Sequence, residues 1–135
     1  MAKQKKKKAA ILYFEDNCGF LDRAVFDLKK AFPEYDIVGN WGYEDWADDV
    51  FKEIKGIEKI AIVCTDGSLR DGLKGWSIVE ELRQRGYAGP ALYTGYSDLP
   101  EDKKHLYVGR CEKSGESLVK SVREHLSCWL SFYDF

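Results

Sequence analysis

Several familiar devices are missing from this chain of 135 residues. Its four cysteines (Cys18, Cys64, Cys111 and Cys128) form no C-x-x-C pair, so neither a zinc knuckle nor a dithiol motif is encoded. No apolar run approaches the roughly 18–20 residues of a membrane span. The N-terminus has positive charge but no apolar core behind it, so it does not read as a secretory signal. G-x-x-x-x-G-K-[ST] is absent, and no G-x-G-x-x-G follows a strand. Only three prolines interrupt the chain. Disulfide-free, leaderless and without a span, it reads as a reduced, cytoplasmic protein that does not engage a membrane.

What is present is enough for one ordinary domain. Apolar residues make up 44% of the sequence, which supplies a core and excludes disorder over most of the length. A chain this size buries roughly two-thirds of its unfolded surface and needs no metal or disulfide staple. The length also excludes separate catalytic and cofactor domains.

Charge is nearly balanced but unevenly spread. Lys3, Lys5, Lys6, Lys7 and Lys8 fall in the first eight residues, and without them 16 basic residues face 23 acidic ones, a balance of −7. A body this acidic is not a direct binder of nucleic acid, because phosphate contacts need clustered Lys and Arg. Residues 1–8 read as a solvated, disordered Lys-rich tail.

From residue 9 onward, short apolar runs alternate with helical periods. Ala9–Phe14, Tyr35–Val38, Ile60–Cys64, Ala91–Thr94 and Leu106–Cys111 are strand candidates, of which Ile60–Cys64 is the clearest. Between them, Phe20, Leu21, Ala24, Val25, Leu28 and Phe32 recur at helical spacing before Pro33. Trp46, Val50 and Ile54 mark a second helix, and Trp76, Val79 and Leu82 a third ending near Gly86. Asp98–Lys104 suggests a short fourth helix, and Leu118, Val122, Leu126 and Trp129 line a last one. Buried strands alternating with amphipathic helices predict an α/β fold: a doubly wound, five-stranded parallel sheet of flavodoxin-like order 2-1-3-4-5 with helices on both faces. The domain is expected to span 9–130, leaving 131–135 as an aromatic C-terminal tail.

Ligands of open α/β sheets bind beyond the carboxyl ends of the strands. The residues there are Glu15 and Asp16 after the first strand, Asp66 after the third, Thr94 closing the fourth and Lys113 after the fifth. Each has a plain reading: Asp16 as a helix cap, Thr94 as a strand end, Lys113 as a surface lysine. Together they make a coherent site. Three converging carboxylates repel unless a cation lies between them, and few, hard oxygen donors suit Mg²⁺. A carboxylate beside such an ion can act as nucleophile toward phosphorus, with a hydroxyl and an ammonium to hold the moving phosphoryl group.

On these residues the chain resembles the receiver domains of two-component response regulators, over about residues 9–130. That family carries an acidic pair, an acceptor Asp, a Thr or Ser and a Lys at these strand ends. The segment T-D-G-S-L-R-D-G-L-K-G-W is similar to the loop after the acceptor, with Leu69 three residues on, and Gly95 matches the small residue after the hydroxyl. The resemblance implies that Asp66 is phosphorylated by a histidine kinase or phosphotransfer protein. It implies that Asp16, Asp66 and the Ser68 carbonyl hold Mg²⁺, with Glu15 acting through a coordinated water. Thr94 and Lys113 would bind the phosphoryl oxygens, and Ser68 and Tyr96 occupy positions that affect phosphoryl lifetime. The chain departs from the family at three places. Ser114 stands where Pro usually follows the Lys, Arg70 replaces the Pro of the acceptor loop, which runs one residue longer to Gly75, and Arg110 replaces the switch aromatic. A cis bond before Ser114 would cost ~2.5–4 kcal/mol, so a rearranged loop is expected there.

Two other readings have a basis in the residues. One is a non-phosphorylated pseudo-receiver that serves as a protein interaction scaffold; the other, a small metal-dependent phosphatase, lacks a second acid or base. Too few residues follow the last helix for a DNA-binding module, so output is expected through an unknown downstream protein target. The apolar segment Trp129–Phe135 reads either as packing back on the domain or as a docking or homodimer patch.

Overall fold

The computed structural model describes residues 9–133, with side chains to residue 126. The Lys-rich segment 1–8 and the side chains of the C-terminal aromatic segment, together with the docking role considered for it, lie outside the described residues. Five strands form one parallel sheet: β1 (Ala10–Phe14), β2 (Asp36–Asn40), β3 (Ile60–Asp66), β4 (Ala91–Thr94) and β5 (Gly109–Cys111). Their order is β2-β1-β3-β4-β5, as the alternation of apolar runs and helical periods predicts. The connecting helices are α1 (Cys18–Ala31), α2 (Trp46–Glu53), α3 (Gly75–Gln84) and α4 (Gly115–Tyr133).

Side chains alternate across a strand, and the two cores follow that rule. On one face Leu12, Phe14, Val38 and Val63 pack with Trp46 and Val50 of α2 and Ile78, Val79 and Leu82 of α3. On the other, Ile11, Tyr13, Ile62, Cys64 and Leu92 pack with Leu21, Ala24 and Leu28 of α1 and Leu118, Val122 and Leu126 of α4. The β1–β3 register shifts between Ala10 and Ile11, which pair with Ile60 and Ile62. That one-residue irregularity puts both Ala61 and Ile62 on the α1/α4 side. Beyond it the alternation is regular and carries Asp66 to the same side as Ile62 and Cys64.

Several boundaries differ from the sequence reading: β1 begins at Ala10 rather than Ala9, and β3 runs on through Asp66 rather than ending at Cys64. β2 begins at Asp36 rather than Tyr35, whose ring instead meets Phe32 edge-on at 6.2 Å. The helix expected over Asp98–Lys104 is a 3-10 segment over Glu101–Leu106. Pro100 precedes it and disfavours helical backbone at Leu99; only Leu106 is buried, so no apolar stripe exists to hold a longer helix. β5 is confined to Gly109–Cys111, because that 3-10 segment claims Leu106. Finally, α4 continues beyond Trp129 to Tyr133, so the segment 131–135 begins within the helix.

Candidate functional site

The carboxyl ends of β1, β3 and β4 deliver three polar side chains to the α1/α4 side of the sheet. Glu15 extends the parity of Ile11 and Tyr13, Asp66 that of Ile62 and Cys64, and Thr94 that of Leu92. Asp66 and Thr94 are direct partners in the β3–β4 register. The β1 strand in effect runs one residue further, since the Glu15 amide donates to the Asn40 carbonyl at 3.1 Å. Asp16 then starts the turn into α1. It does not cap that helix: Asn17 does, its Oδ1 accepting from the Phe20 amide at 3.1 Å. Asp16 is therefore left with its carboxylate at the crevice.

Lys113 comes from the β5–α4 connection, which is anchored at both sides. The Tyr13 hydroxyl donates to the Lys113 carbonyl, and the Gly115 amide donates to Asp27 Oδ2 on α1 at 2.9 Å. No peptide bond among the described residues is cis, that before Ser114 included. So held, Lys113 Nζ lies 2.9 Å from Glu15 Oε1 and 3.0 Å from Asp66 Oδ2. Both carboxylates are almost wholly buried, and the ammonium is three-quarters so. Partial burial alone would lower the Lys113 pKa, but its bonds to Glu15 and Asp66 outweigh this and raise it above the usual value. Glu15 is pushed up to about 7, chiefly by burial and further by Asp66, while Lys113 pulls it down.

The acceptor loop is built around two close approaches. Gly75, the first residue of α3, has room for no side chain: a Cβ there would lie 1.8 Å from the Asp66 carbonyl oxygen. Its amide donates to the Gly67 carbonyl at 3.1 Å, and Leu69 and Leu73 close the loop with an amide-to-carbonyl bond of 2.8 Å. Leu69 is buried while Ser68 and Arg70 are exposed. Arg70, which stands in for a proline, lays its guanidinium over the Trp41 ring at 4.6 Å. At the β4 end a Cβ on Gly95 would lie 2.8 Å from Lys113 Cε, so the lysine reaches the acids only because that residue is small.

Glu15, Asp16 and Asp66 each offer a carboxylate oxygen, all within 4.8 Å of one another. Glu15 Oε2 is buried and has no hydrogen-bond partner. An orphaned anionic oxygen beside two further carboxylates fits a small, hard divalent cation better than it fits an empty apolar environment. The Thr94 hydroxyl is likewise buried and unpartnered. A cluster with this much unsatisfied polarity is arranged for something besides stability.

The structure thus brings Glu15, Asp16, Asp66, Thr94 and Lys113 to one strand-end crevice, with Ser68 on its loop two residues after Asp66. Two participants were not evident in the sequence. Ser97 Oγ lies 3.4 Å from Asp66 Oδ1, and Tyr93 lies 2.9 Å from that Ser97 oxygen. Tyr93 reads as an ordinary strand residue in sequence. The one available signal was its hydroxyl, which a buried tyrosine must satisfy.

No known family pattern matches the chain, and no curated protein matches it in sequence. Solved structures do match. The signal receiver domain of a DNA-binding response regulator from Colwellia psychrerythraea 34H aligns with a TM-score of 0.68 at 20% identity, over 89% of this chain and 99% of that one. A response regulator receiver protein from Pseudomonas putida aligns at 0.66 and 18% identity, over 88% and 98%. The fold is that of a receiver domain. A chemotaxis response regulator of Vibrio cholerae shares this receiver fold at a TM-score of 0.63 and 17% identity, over 87% of this chain and 98% of that one. At such identities the receiver fold is what is shared; the chemistry rests on the residues above. Among the described residues, no helix of this receiver fold is long and apolar enough to cross a membrane.

Proposed function

We propose that this chain is a response regulator whose Asp66 accepts a phosphoryl group from a histidine kinase or phosphotransfer protein in a Mg²⁺-dependent reaction. The observation that carries the reading is the Lys113 ammonium held within 3.0 Å of Asp66 and 2.9 Å of Glu15, at a strand end where Asp16 and Thr94 also converge. Asp16, Asp66 and the Ser68 carbonyl would hold the metal, and Glu15 would act on it through an intervening water. When bound, Mg²⁺ supplies positive charge that shields the phosphoryl oxygens from the carboxylates.

In the transfer an Asp66 carboxylate oxygen attacks the phosphorus of a phosphohistidine. The P–N bond breaks, the imidazole nitrogen keeps the electron pair, and an acyl phosphate remains on Asp66. Lys113 neutralises one equatorial oxygen, and the free Thr94 hydroxyl donates to another, so charge is met by groups already in place. Hydrolysis of the acyl phosphate by water returns the carboxylate and inorganic phosphate. The chain is thus a phosphoacceptor that promotes its own phosphorylation and dephosphorylation, rather than an enzyme acting on a separate substrate. It works in the cytoplasm and signals by contact with a downstream protein, alone or as a homodimer.

A second reading, a scaffold that is never phosphorylated, is favoured by Arg110, which occupies the position of the switch aromatic and lies over the Tyr93 ring at 4.7 Å. Intact-mass measurement after incubation with Mg²⁺ and acetyl phosphate separates the two. The phosphoacceptor reading expects a single phosphate adduct, absent with EDTA and absent in Asp66→Asn. Folded wild-type protein that shows neither adduct nor Mg²⁺ binding would leave the scaffold reading.

A further inference from the structure

One hydrogen-bonded path leaves the acid pocket through neither Thr94 nor Lys113. Ser97 Oγ donates to Asp66 Oδ1 at 3.4 Å and lies 2.9 Å from the Tyr93 hydroxyl, which in turn donates to the Asp98 carbonyl at 3.3 Å. Tyr93 projects to the α2/α3 side of the sheet, opposite Thr94. Its ring meets Tyr107 edge-on at 5.2 Å and carries the Arg110 guanidinium at 4.7 Å. The Tyr107 hydroxyl is 2.6 Å from Thr65 Oγ1, the residue before Asp66. Tyr93, Tyr107 and Arg110 line a cleft of about 490 Å³ between the 3-10 segment and β5. The path therefore begins at the acceptor carboxylate and ends at the sheet edge.

We propose that Ser97 and Tyr93 relay the phosphorylation state of Asp66 to the Tyr93–Tyr107–Arg110 cleft. The proposal rests on the phosphoacceptor reading and extends it. A serine hydroxyl has one proton to give. While Asp66 is a carboxylate, the Ser97 proton is directed to it, and Ser97 Oγ accepts from Tyr93, whose single proton is shared between that oxygen at 2.9 Å and the Asp98 carbonyl at 3.3 Å. Acyl phosphate formation removes the negative charge from the carboxyl oxygens and adds phosphoryl oxygens that accept more strongly. Ser97 then turns toward the phosphoryl group or gives its proton to Tyr93. The first movement carries away the oxygen that Tyr93 shares; the second reverses donor and acceptor. The contact of 3.4 Å is long for an O–H···O bond, so this joint rearranges at little cost. Arg110, bound to the Tyr93 face, moves with the ring and changes the charge presented along β5.

The test uses the full chain labelled with 3-fluorotyrosine and read by fluorine NMR, with the Tyr93 resonance assigned by its loss in Tyr93→Phe. Samples are phosphorylated with acetyl phosphate and Mg²⁺, and intact mass is recorded on the same material. Tyr93 is expected to show a separate resonance in the phosphorylated molecules. Ser97→Ala should reduce the free-to-phosphorylated displacement of Tyr93 to roughly half or less, because the hydroxyl that joins Tyr93 to Asp66 is gone. Ser97→Thr, which keeps a hydroxyl, should retain it, and Tyr13, on the opposite face, should keep its own displacement in Ser97→Ala. Ser97 is exposed, so neither substitution disturbs the core. An adduct with Tyr93 unmoved, or moved equally in Ser97→Ala, overturns the relay and leaves the phosphoacceptor reading standing. Folded protein with neither adduct nor Mg²⁺ binding overturns both.

Discussion

Replacing Glu15 with Gln should make the protein more stable at alkaline pH, by an amount the structure sets. The Glu15 carboxyl is fully buried, and its pKa is raised from 4.5 to about 7, chiefly by burial. Between those two values the unfolded chain has released the proton while the folded one retains it. The native state then binds more protons, and stability falls as pH rises. The contribution is complete below the unfolded value and lost above the folded one. At about 1.4 kcal/mol per pH unit, the difference amounts to about 3 kcal/mol. Urea unfolding followed by tryptophan fluorescence, on wild type and Glu15→Gln from about pH 4 to about pH 8, reads the titration of Glu15 together with its effect on Lys113 and Asp66. The gap between the two proteins should widen with pH in favour of the variant. With m-values of about 1–3 kcal/mol per molar urea, that is a midpoint divergence of about 1–3 M. Excess Mg²⁺ at the alkaline end should close part of the gap, since an ion bound only to the native state adds about 2.7 kcal/mol at a hundred times its Kd. Parallel stability curves for the two proteins would refute the reasoning. They would mean that Lys113 compensates Glu15 fully and that its ionisation is not opposed by burial.

Three further substitutions test other parts of the site. Gly75→Ala places a methyl 1.8 Å from the Asp66 carbonyl oxygen and should cost about 2–3 kcal/mol, visible as a drop of several degrees in Tm. Asn17→Ala removes the side chain that caps α1 and should cost about 1 kcal/mol in urea unfolding. Thr94→Val removes a buried hydroxyl that has no partner, so it should leave stability unchanged or raise it by about 1 kcal/mol. The same variant should reduce the phosphate adduct in intact-mass spectra, because in the proposed transfer the deleted hydroxyl would donate to a phosphoryl oxygen.

The strand-end acids were legible in sequence because β1 and β3 are buried on both faces. Runs such as Ala10–Phe14 and Ile60–Cys64 have no competing helical period, so the residues that end them stand out. The two faces were legible for the same reason. Segments that owe their form to tertiary competition were harder to read. Tyr35 carries strand propensity, yet its ring packs on Phe32 and β2 starts one residue later. Asp98–Lys104 carries helical composition, but Pro100 and the lack of an apolar stripe reduce it to 3-10 turns further along. Asn17 was hidden as a cap by the acidic Asp16 beside it. Ser97 could not be found from sequence at all. It lies in an irregular loop, three residues past the strand end, and only the backbone's return over Asp66 brings its hydroxyl to the carboxylate.

The brevity of β5 has a consequence for how copies of this molecule behave when crowded. A terminal strand with free amides and carbonyls is a template on which another chain can pair, and proteins guard such strands by shortening them or charging them. Here the strand offers three residues, of which Arg110 is exposed and cationic. At the opposite margin, β2 opens on the exposed Asp36. Neither margin gives an incoming strand a long, uncharged partner, so high concentration should favour contacts through side chains over growth of the sheet into fibrils.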